Sequence, residues 1–243
     1  MRVSVCIPMY NESKVIENTA RELYEYMTAT FGKENFEIIF SDDGSLDGCG
    51  DIVRSLALDG VRVVGYEKNQ GKGCAVRTAM LSAEGNVVMF TDADLAYGTN
   101  VIKSAVEALE SDGDADILIG SRNLAKNGYE SYSLLRKLMS KTYIKVLCLV
   151  GGFKLSDSQC GCKAFKREAV SKIFPRCEVN GFAFDFEAIL WANKLGMKII
   201  EMPVKVINMG ESKVSVIKDT IKMLRDLSKM KKRISKEKIE KNK

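Results

Sequence analysis

Short apolar runs, rich in β-branched residues, alternate along this chain with longer stretches in which apolar positions recur every three or four residues. The runs predict strands near 2–8, 36–41, 61–65, 86–91 and 115–120, and the periodic stretches predict helices near 12–30, 46–58, 72–84 and 99–111. Strand and helix in strict alternation imply a largely parallel sheet covered by helices on both faces, so the fold class is α/β. Asn11-Glu12 and Ser45-Leu46-Asp47 place capping groups at two helix starts, and Gly32 and Gly60 follow helix ends. After Arg122 the rhythm breaks into a polar loop, Asn123 to Ser133, long enough to be expected to move and to cover a site. A helix-like segment from Leu134 to Val150 follows, and the last third predicts a helix near 183–195, a strand near 198–206 and a helix near 213–232.

Two of these helices are basic and amphipathic. In the first, Lys137, Lys141 and Lys145 mark one face against Leu134, Leu138, Met139, Ile144, Leu147 and Leu149. In the second, Val216, Ile217, Ile221, Leu224 and Leu227 oppose Lys218, Lys222, Arg225 and Lys229. Either pattern suits a helix lying in a membrane interface or an ordinary half-buried helix. The expected organisation is one domain over residues 1–212, followed by an amphipathic helix and basic tail over 213–243.

Composition narrows the chemistry. With 243 residues, 46% of them hydrophobic, the chain can bury a full core. No run approaches the roughly 18 to 20 apolar residues of a membrane span. The start, Met1-Arg2-Val3-Ser4-Val5-Cys6-Ile7-Pro8, reads as a strand and lacks the features of a secretory signal, so a cytosolic location is expected. Seven cysteines, an odd number, fit reduced thiols, and Cys160-Gly161-Cys162 is too close for a structural zinc pair. Histidine is absent, so a metal ligand or general base must be a carboxylate or another oxygen group. The net charge of +5 resides in the tail, where Lys229 to Lys243 carry eight basic residues against two glutamates. That run is a solvated end or a contact for an anionic membrane surface; nucleic acid is disfavoured, because the tail has no aromatic residue for stacking.

The chemistry is concentrated where predicted strands end. Asp92-Ala93-Asp94 follows Val87-Val88-Met89-Phe90, which places two carboxylates in the crevice at the carboxyl edge of an α/β sheet. Hard oxygen ligands there suit Mg2+ or Mn2+ held against a diphosphate. Pro8-Met9-Tyr10-Asn11-Glu12 and Ser41-Asp42-Asp43-Gly44-Ser45 follow the first and second strands, so one ligand can touch all three loops. Tyr10 can stack on a base, and Asp42 or Asp43 can accept from a base or ribose. Lys72, flanked by Gly71 and Gly73 at a helix start, suits phosphate or sugar oxygens. The full phosphate-loop pattern of ATPases is absent.

Seven motifs stand together: the loops above, Asn69-Gln70-Gly71-Lys72-Gly73, Gly120-Ser121-Arg122, Asp157-Ser158-Gln159-Cys160-Gly161 and Phe184-Asp185-Phe186-Glu187. In order and spacing, from residue 3 to about 214, the chain resembles family 2 glycosyltransferases of the dolichyl-phosphate mannose synthase and dolichyl-phosphate glucosyltransferase type. The resemblance implies a GT-A fold, a Rossmann-like nucleotide-diphospho-sugar transferase sheet, and inverting transfer of a hexose from UDP-glucose or GDP-mannose to a polyprenyl (dolichyl or undecaprenyl) phosphate. It implies that Pro8, Tyr10, Glu12 and Asp42 hold the nucleoside; Asn11, Asp43, Lys72 and Ala93 are the further donor contacts expected from their place in the same loops. Asp92 and Asp94 would bind metal and diphosphate, and Arg122 a phosphate. The mannose synthases resembled here carry Gln two residues after the second Asp, where this chain has Ala96; the departure leans toward the glucosyltransferase-like branch and leaves the metal shell one ligand short.

A phosphate acceptor needs no strong base, since it is already anionic at neutral pH, and positioning then dominates catalysis. Cations available for it are Arg122, Lys126, Arg136, Lys163 and Lys213, with Gln159 as a further acceptor contact. A hydroxyl acceptor would need a carboxylate base, for which Asp185 is the candidate; a helix N-cap is its alternative role. The expected catalytic set is therefore Asp94, Asp185 and Arg122. The alternatives to transfer onto lipid phosphate are transfer onto a glycan hydroxyl and a non-catalytic nucleotide-sugar-binding module. The expected setting is peripheral, at the cytosolic face of a membrane, with a membrane-anchoring subunit as a further partner.

Overall fold

The structure, a computed structural model, describes residues 2–126, 144, 146, 148–208 and 216–237, with side chains of the final helix from 225 onward. Seven strands form one sheet: β1 (Val3–Met9), β2 (Phe36–Asp42), β3 (Val61–Gly65), β4 (Val87–Phe90), β5 (Ile117–Ser121), β6 (Lys163–Lys166) and β7 (Ile199–Pro203). Their order is β3-β2-β1-β4-β6-β5-β7. β1, β2, β3 and β4 run parallel, in a register that sets Met9 beside Asp42 and Cys6 beside Phe90. β7 is parallel to β5.

β6 is antiparallel to both β4 and β5, a reversal that the strand-helix rhythm did not predict. Lys163-Ala164-Phe165-Lys166 has no apolar run of its own. It becomes a strand because two edges with free N–H and C=O groups flank it, and pairing satisfies them.

Both faces of the sheet are covered, because alternate residues of each strand point to opposite sides. On one side Val5, Ile7 and Met89 pack with α1 (Ile16–Phe31) and α4 (Asn100–Ser111) through Ile16, Ala20, Leu23, Ile102 and Val106. On the other, Cys6, Val88 and Phe90 pack with α3 (Lys72–Ser82), α5 (Arg167–Ile173) and α6 (Phe184–Lys194). α2 (Cys49–Ser55) and α7 (Val216–Lys236) are further helices among the described residues.

Several boundaries shift for local reasons. α1 begins four residues later than the pattern suggests, because Val15 and Ile16 donate to the Glu12 carbonyl in a preceding turn and Asn11 takes a left-handed φ of 54°. Asn11 and Glu12 are therefore loop residues, with no side-chain cap on α1. α2 is shorter than expected: Asp47 accepts from the Cys49 N–H ahead of it, and Ala57 turns left-handed after it. Gly32 does close α1, whereas Gly60 lies in the turn that feeds β3.

The C-terminal helix is not an appendage. Leu227, Met230 and Ile234, spaced for one helical face, are 0%, 5% and 3% exposed and join the core beneath α6. Lys194 of α6 donates to the carbonyls of Ile234, Ser235 and Glu237, closing the end of α7. Met230 and Ile234, within the basic run read as a solvated end or a membrane contact, are thus core. In the segment before residue 150, Ile144 is buried and Leu149 is 82% exposed. The lysines of its basic face, Lys137, Lys141 and Lys145, and most of the loop from Asn123 to Ser133 lie outside the described residues.

The seating of α3 depends on Gly73. A Cβ there would sit 2.5 Å from the Val179 carbonyl and 2.6 Å from the Phe184 Cβ, both fixed by the fold. Gly73→Ala is expected to destabilise the protein by about 1–3 kcal/mol, checked by the urea midpoint; an unchanged midpoint would show that the 179–184 segment yields.

Candidate active site

The loops after β1, β2 and β4 meet at the carboxyl edge of the sheet, as the parallel register requires. The first two are stitched together. Asn11 N–H donates to Ser45 Oγ (3.0 Å), Leu46 N–H to Asn11 Oδ1 (2.9 Å) and Ser13 N–H to Asp47 Oδ2 (2.7 Å). Tyr10 stands at the rim, 38% exposed, while Pro8 and Ala93 are buried, the latter giving its carbonyl to Thr19.

The two neighbouring aspartates of the second loop do different work. Asp42 is half-buried and takes the Ser45 N–H on Oδ1. Asp43 is 4% exposed, and its carboxylate accepts from Tyr66 Oη, Asn69 Nδ2, Gln70 N–H and Gly71 N–H. Four donors account for its acceptor capacity, so in this structure Asp43 holds the 66–71 loop. The chain pairs this loop with α3, whose first residue is Lys72.

Lys72 reaches across to Asp92, Nζ to Oδ1 at 2.5 Å. Burial works against its ammonium, yet Asp92, Asp185 and Asp94 together hold its pKa above the ordinary lysine value. Asp94, in a turn enforced by the left-handed Leu95 (φ 46°), accepts from the Ala96 N–H at 3.0 Å. Burial, then the charges of Asp92 and Glu12, push the Asp94 carboxyl above its usual range. Gly161 lies against Asp92: a Cβ there would meet Oδ2 at 2.2 Å. The sequence motif ending in Gly161 is thereby explained as a close backbone approach to a site carboxylate.

Asp185 enters the same crevice from the first turn of α6. It is not the helix cap. Its Oδ1 lies 2.6 Å from Nζ of Lys163, which is 1% exposed and also donates to the Cys160 carbonyl. Burial raises the Asp185 pKa, with Lys163 and Lys72 opposing. Lys163, expected as a cation for an acceptor phosphate, is thus buried under Asp185 and serves that carboxylate. The pairing was invisible in sequence because the two residues lie on different elements.

Arg122, at the end of β5, makes a two-pronged contact to Asp157, Nε to Oδ2 at 2.6 Å and a terminal nitrogen to Oδ1 at 2.9 Å. Asp157 is fully buried. Glu201 of β7 takes the N–H groups of Ser156 and Asp157, tying this loop to the sheet. Gln159 lies in the same turn, its N–H 3.3 Å from Asp157 Oδ1. Lys213 and Arg136 are outside the described residues. Cys160 and Cys162 are fully buried, their thiols raised by burial, Cys160 to about 11, which makes them packing groups.

Asp92 and Asp94 fit a divalent cation. Their oxygens are hard donors, and the upward push that the Asp92 charge exerts on Asp94 is what a cation would relieve. Among the described residues no third carboxylate, thiol or imidazole is placed to share a metal ion with them, so a ligand's own oxygens and water would complete the shell.

A mostly parallel sheet with this carboxylate pair at the end of β4 defines a GT-A nucleotide-sugar transferase fold. The chain belongs to glycosyl transferase family 2, whose profile matches residues 4–174. It is 32% identical over 206 residues to glycosyltransferase AglD of Haloferax volcanii, covering 84% of this chain and 33% of that protein. It is 32% identical over 210 residues to dolichyl-phosphate beta-glucosyltransferase ALG5A of Trichomonas vaginalis, covering 83% and 64%. The dolichyl-phosphate beta-glucosyltransferase of Saccharomyces cerevisiae is 30% identical over 220 residues, covering 83% and 66%. The chain therefore spans a third to two thirds of the length of these relatives. In fold it is similar to glucosyl-3-phosphoglycerate synthase of Mycobacterium tuberculosis, solved with Mn2+, UDP and glucosyl-3-phosphoglycerate (TM-score 0.67, 18% identity, 98% of this chain and 81% of that one). Mannosyl-3-phosphoglycerate synthase of Rubrobacter xylanophilus is similar as well (TM-score 0.66, 16% identity, 100% and 77%).

Arg122→Ala would leave the Asp157 carboxylate buried without its guanidinium. The expected loss is about 3–5 kcal/mol, read from chemical denaturation, with Asp157→Asn milder; a loss below about 1 kcal/mol would show that the loop opens to water.

Proposed function

We propose that this chain transfers a hexose, with inversion, from a nucleoside diphosphate sugar to the phosphate of a polyprenyl phosphate. The observation that carries it is the convergence of Asp92, Asp94 and Lys72 in one crevice beside Asp42 and Tyr10. The names of the relatives support a lipid phosphate as acceptor and glucose as the sugar. Ala96, in place of the Gln of mannose synthases, points the same way, toward UDP-glucose rather than GDP-mannose.

Asp92 and Asp94 would hold Mg2+ or Mn2+, which when bound offsets the charge of the diphosphate as it departs. Lys72 sits within reach of the same position and adds a second cation at the amino end of α3. Tyr10 offers a ring at the rim for the base, and Asp42 an oxygen for the nucleoside. Arg122, fixed by Asp157, presents a charge that cannot be lost by deprotonation. The acceptor phosphate attacks as an anion, so the chain's task is alignment and exclusion of water.

A second reading, transfer onto a hydroxyl, is favoured by Asp185 alone: a buried carboxylate with a raised pKa is matched to a base role. It would make activity depend on Asp185 more steeply than on Arg122. Among the described residues no helix is long and apolar enough to cross a membrane. Attachment at the cytosolic face would fall to the exposed lysines of α7, Lys229, Lys231, Lys232 and Lys236, with or without an anchoring subunit.

Labelled sugar supplied as UDP-glucose or GDP-mannose, with Mn2+ and undecaprenyl or dolichyl phosphate in detergent, is expected to enter lipid from UDP-glucose. Donor binding or hydrolysis with no lipid product, in the presence of both lipids, would refute the acceptor assignment. Asp94→Asn is expected to abolish transfer and Mn2+-dependent nucleotide binding; near-normal activity would refute the metal site. Because protons compete with the metal at a carboxylate whose pKa is raised, Mn2+-dependent binding should weaken on acidification sooner than an ordinary aspartate allows, as titration calorimetry across pH would show.

A further inference from the structure

Glu187 lies two residues after Asp185 on α6 and is fully buried. Its Oε2 accepts the N–H groups of Glu178 (2.9 Å) and Val179 (2.8 Å). Its Oε1 meets the guanidinium of Arg233, which arrives from the last turns of α7 and also engages the Glu178 carboxylate. Glu187 therefore ties the C-terminal helix to the segment 178–181.

That segment is the seat of α3. The Asn180 carbonyl accepts from Gly73 N–H (2.7 Å) and Cys74 N–H (3.3 Å), and its side chain accepts from Arg77 (2.7 Å). A Cβ on Gly71 would come within 2.5 Å of the same carbonyl, so the contact is close on both sides of Lys72. Lys72 is thus held by backbone that Glu187 holds, and Glu187 is balanced by Arg233, which it contacts, and by the nearby charge of Arg77 on α3. A buried carboxylate is retained in a fixed place only while its partners remain.

We propose that Arg233, acting through Glu187 and the 178–181 segment, is a positioning residue for Lys72. The C-terminal helix then acts on the diphosphate end of the donor site from a distance, through Glu187 and the 178–181 segment. The functional half of this statement rests on the donor-site role of Lys72; the structural half does not.

The test uses the full chain with Arg233→Met, Arg233→Lys and Glu187→Gln. Hydrogen exchange at the Gly73 and Cys74 amides is expected to quicken about tenfold in Arg233→Met and Glu187→Gln, to return toward the parent rate in Arg233→Lys, and to stay unchanged at Val5 and Ile7 of β1. Unchanged rates at Gly73 and Cys74, or an equal rise at β1, would overturn the proposal, the latter because it reports general loosening. Mn2+-dependent binding of UDP and GDP is then compared in Arg233→Met, Lys72→Met and the double variant. Arg233→Met is expected to weaken binding about tenfold when Lys72 is present and less than about twofold when it is absent. Equal losses in both backgrounds would overturn the link to Lys72. Failure of the parent chain to bind either nucleotide would count against the donor-site assignment instead, leaving the exchange result to decide the positioning role.

Discussion

Asp92, Asp94, Asp185 and Glu12 bring negative charge into one crevice, and the fold is arranged to hold it there. Two lysines make this possible. Lys72 enters from the amino end of α3 and pairs with Asp92, while Lys163 stands buried on β6 and pairs with Asp185. Repulsion among the carboxylates is only partly offset, as the upward shift of Asp94 shows. A bound divalent cation would relieve that repulsion, which folding has to tolerate without it.

Holding such a site open requires support from acids set behind it. Asp43 organises the 66–71 loop with a saturated carboxylate, Asp157 fixes Arg122, Glu201 fixes the loop that carries Asp157, and Glu187 fixes the segment on which α3 rests. Asp43, Asp157 and Glu187 are buried and Glu201 is half-buried, and each faces backbone N–H groups or a guanidinium. Backbone donors are suited to the task, since they are rigid and cannot lose their proton. The crevice is therefore built in two layers, with half-exposed acids where a ligand would sit and buried acids that position the loops beneath.

The legibility of this arrangement in the amino-acid sequence follows from distance along the chain. Each strand and most helices of the first 121 residues were apparent from periodicity, because the hydrophobic pattern of a parallel strand or of an amphipathic helix is local. The placement of the Asp42 and Asp92-Ala93-Asp94 loops at one edge was apparent too, since parallel strands must present their carboxyl ends together. β6 was not apparent, because four residues with two lysines carry no strand signal until two neighbours flank them. Nor was the burial of Met230 and Ile234, for composition sees only the lysines around them.

The sequence by itself determined the fold class, the family and the set of acids from which a metal site can be built, because these depend on residue type and order. Tertiary structure decided which acid does which work. Asp42 and Asp43 are adjacent and chemically identical, yet one is half-exposed and the other saturated by four donors, and Asp185 became a buried partner of Lys163 instead of a helix cap. The reason is physical: a carboxylate's role is set by its exposure and its hydrogen-bond donors, and those come from residues tens of positions away that only folding brings within 3 Å.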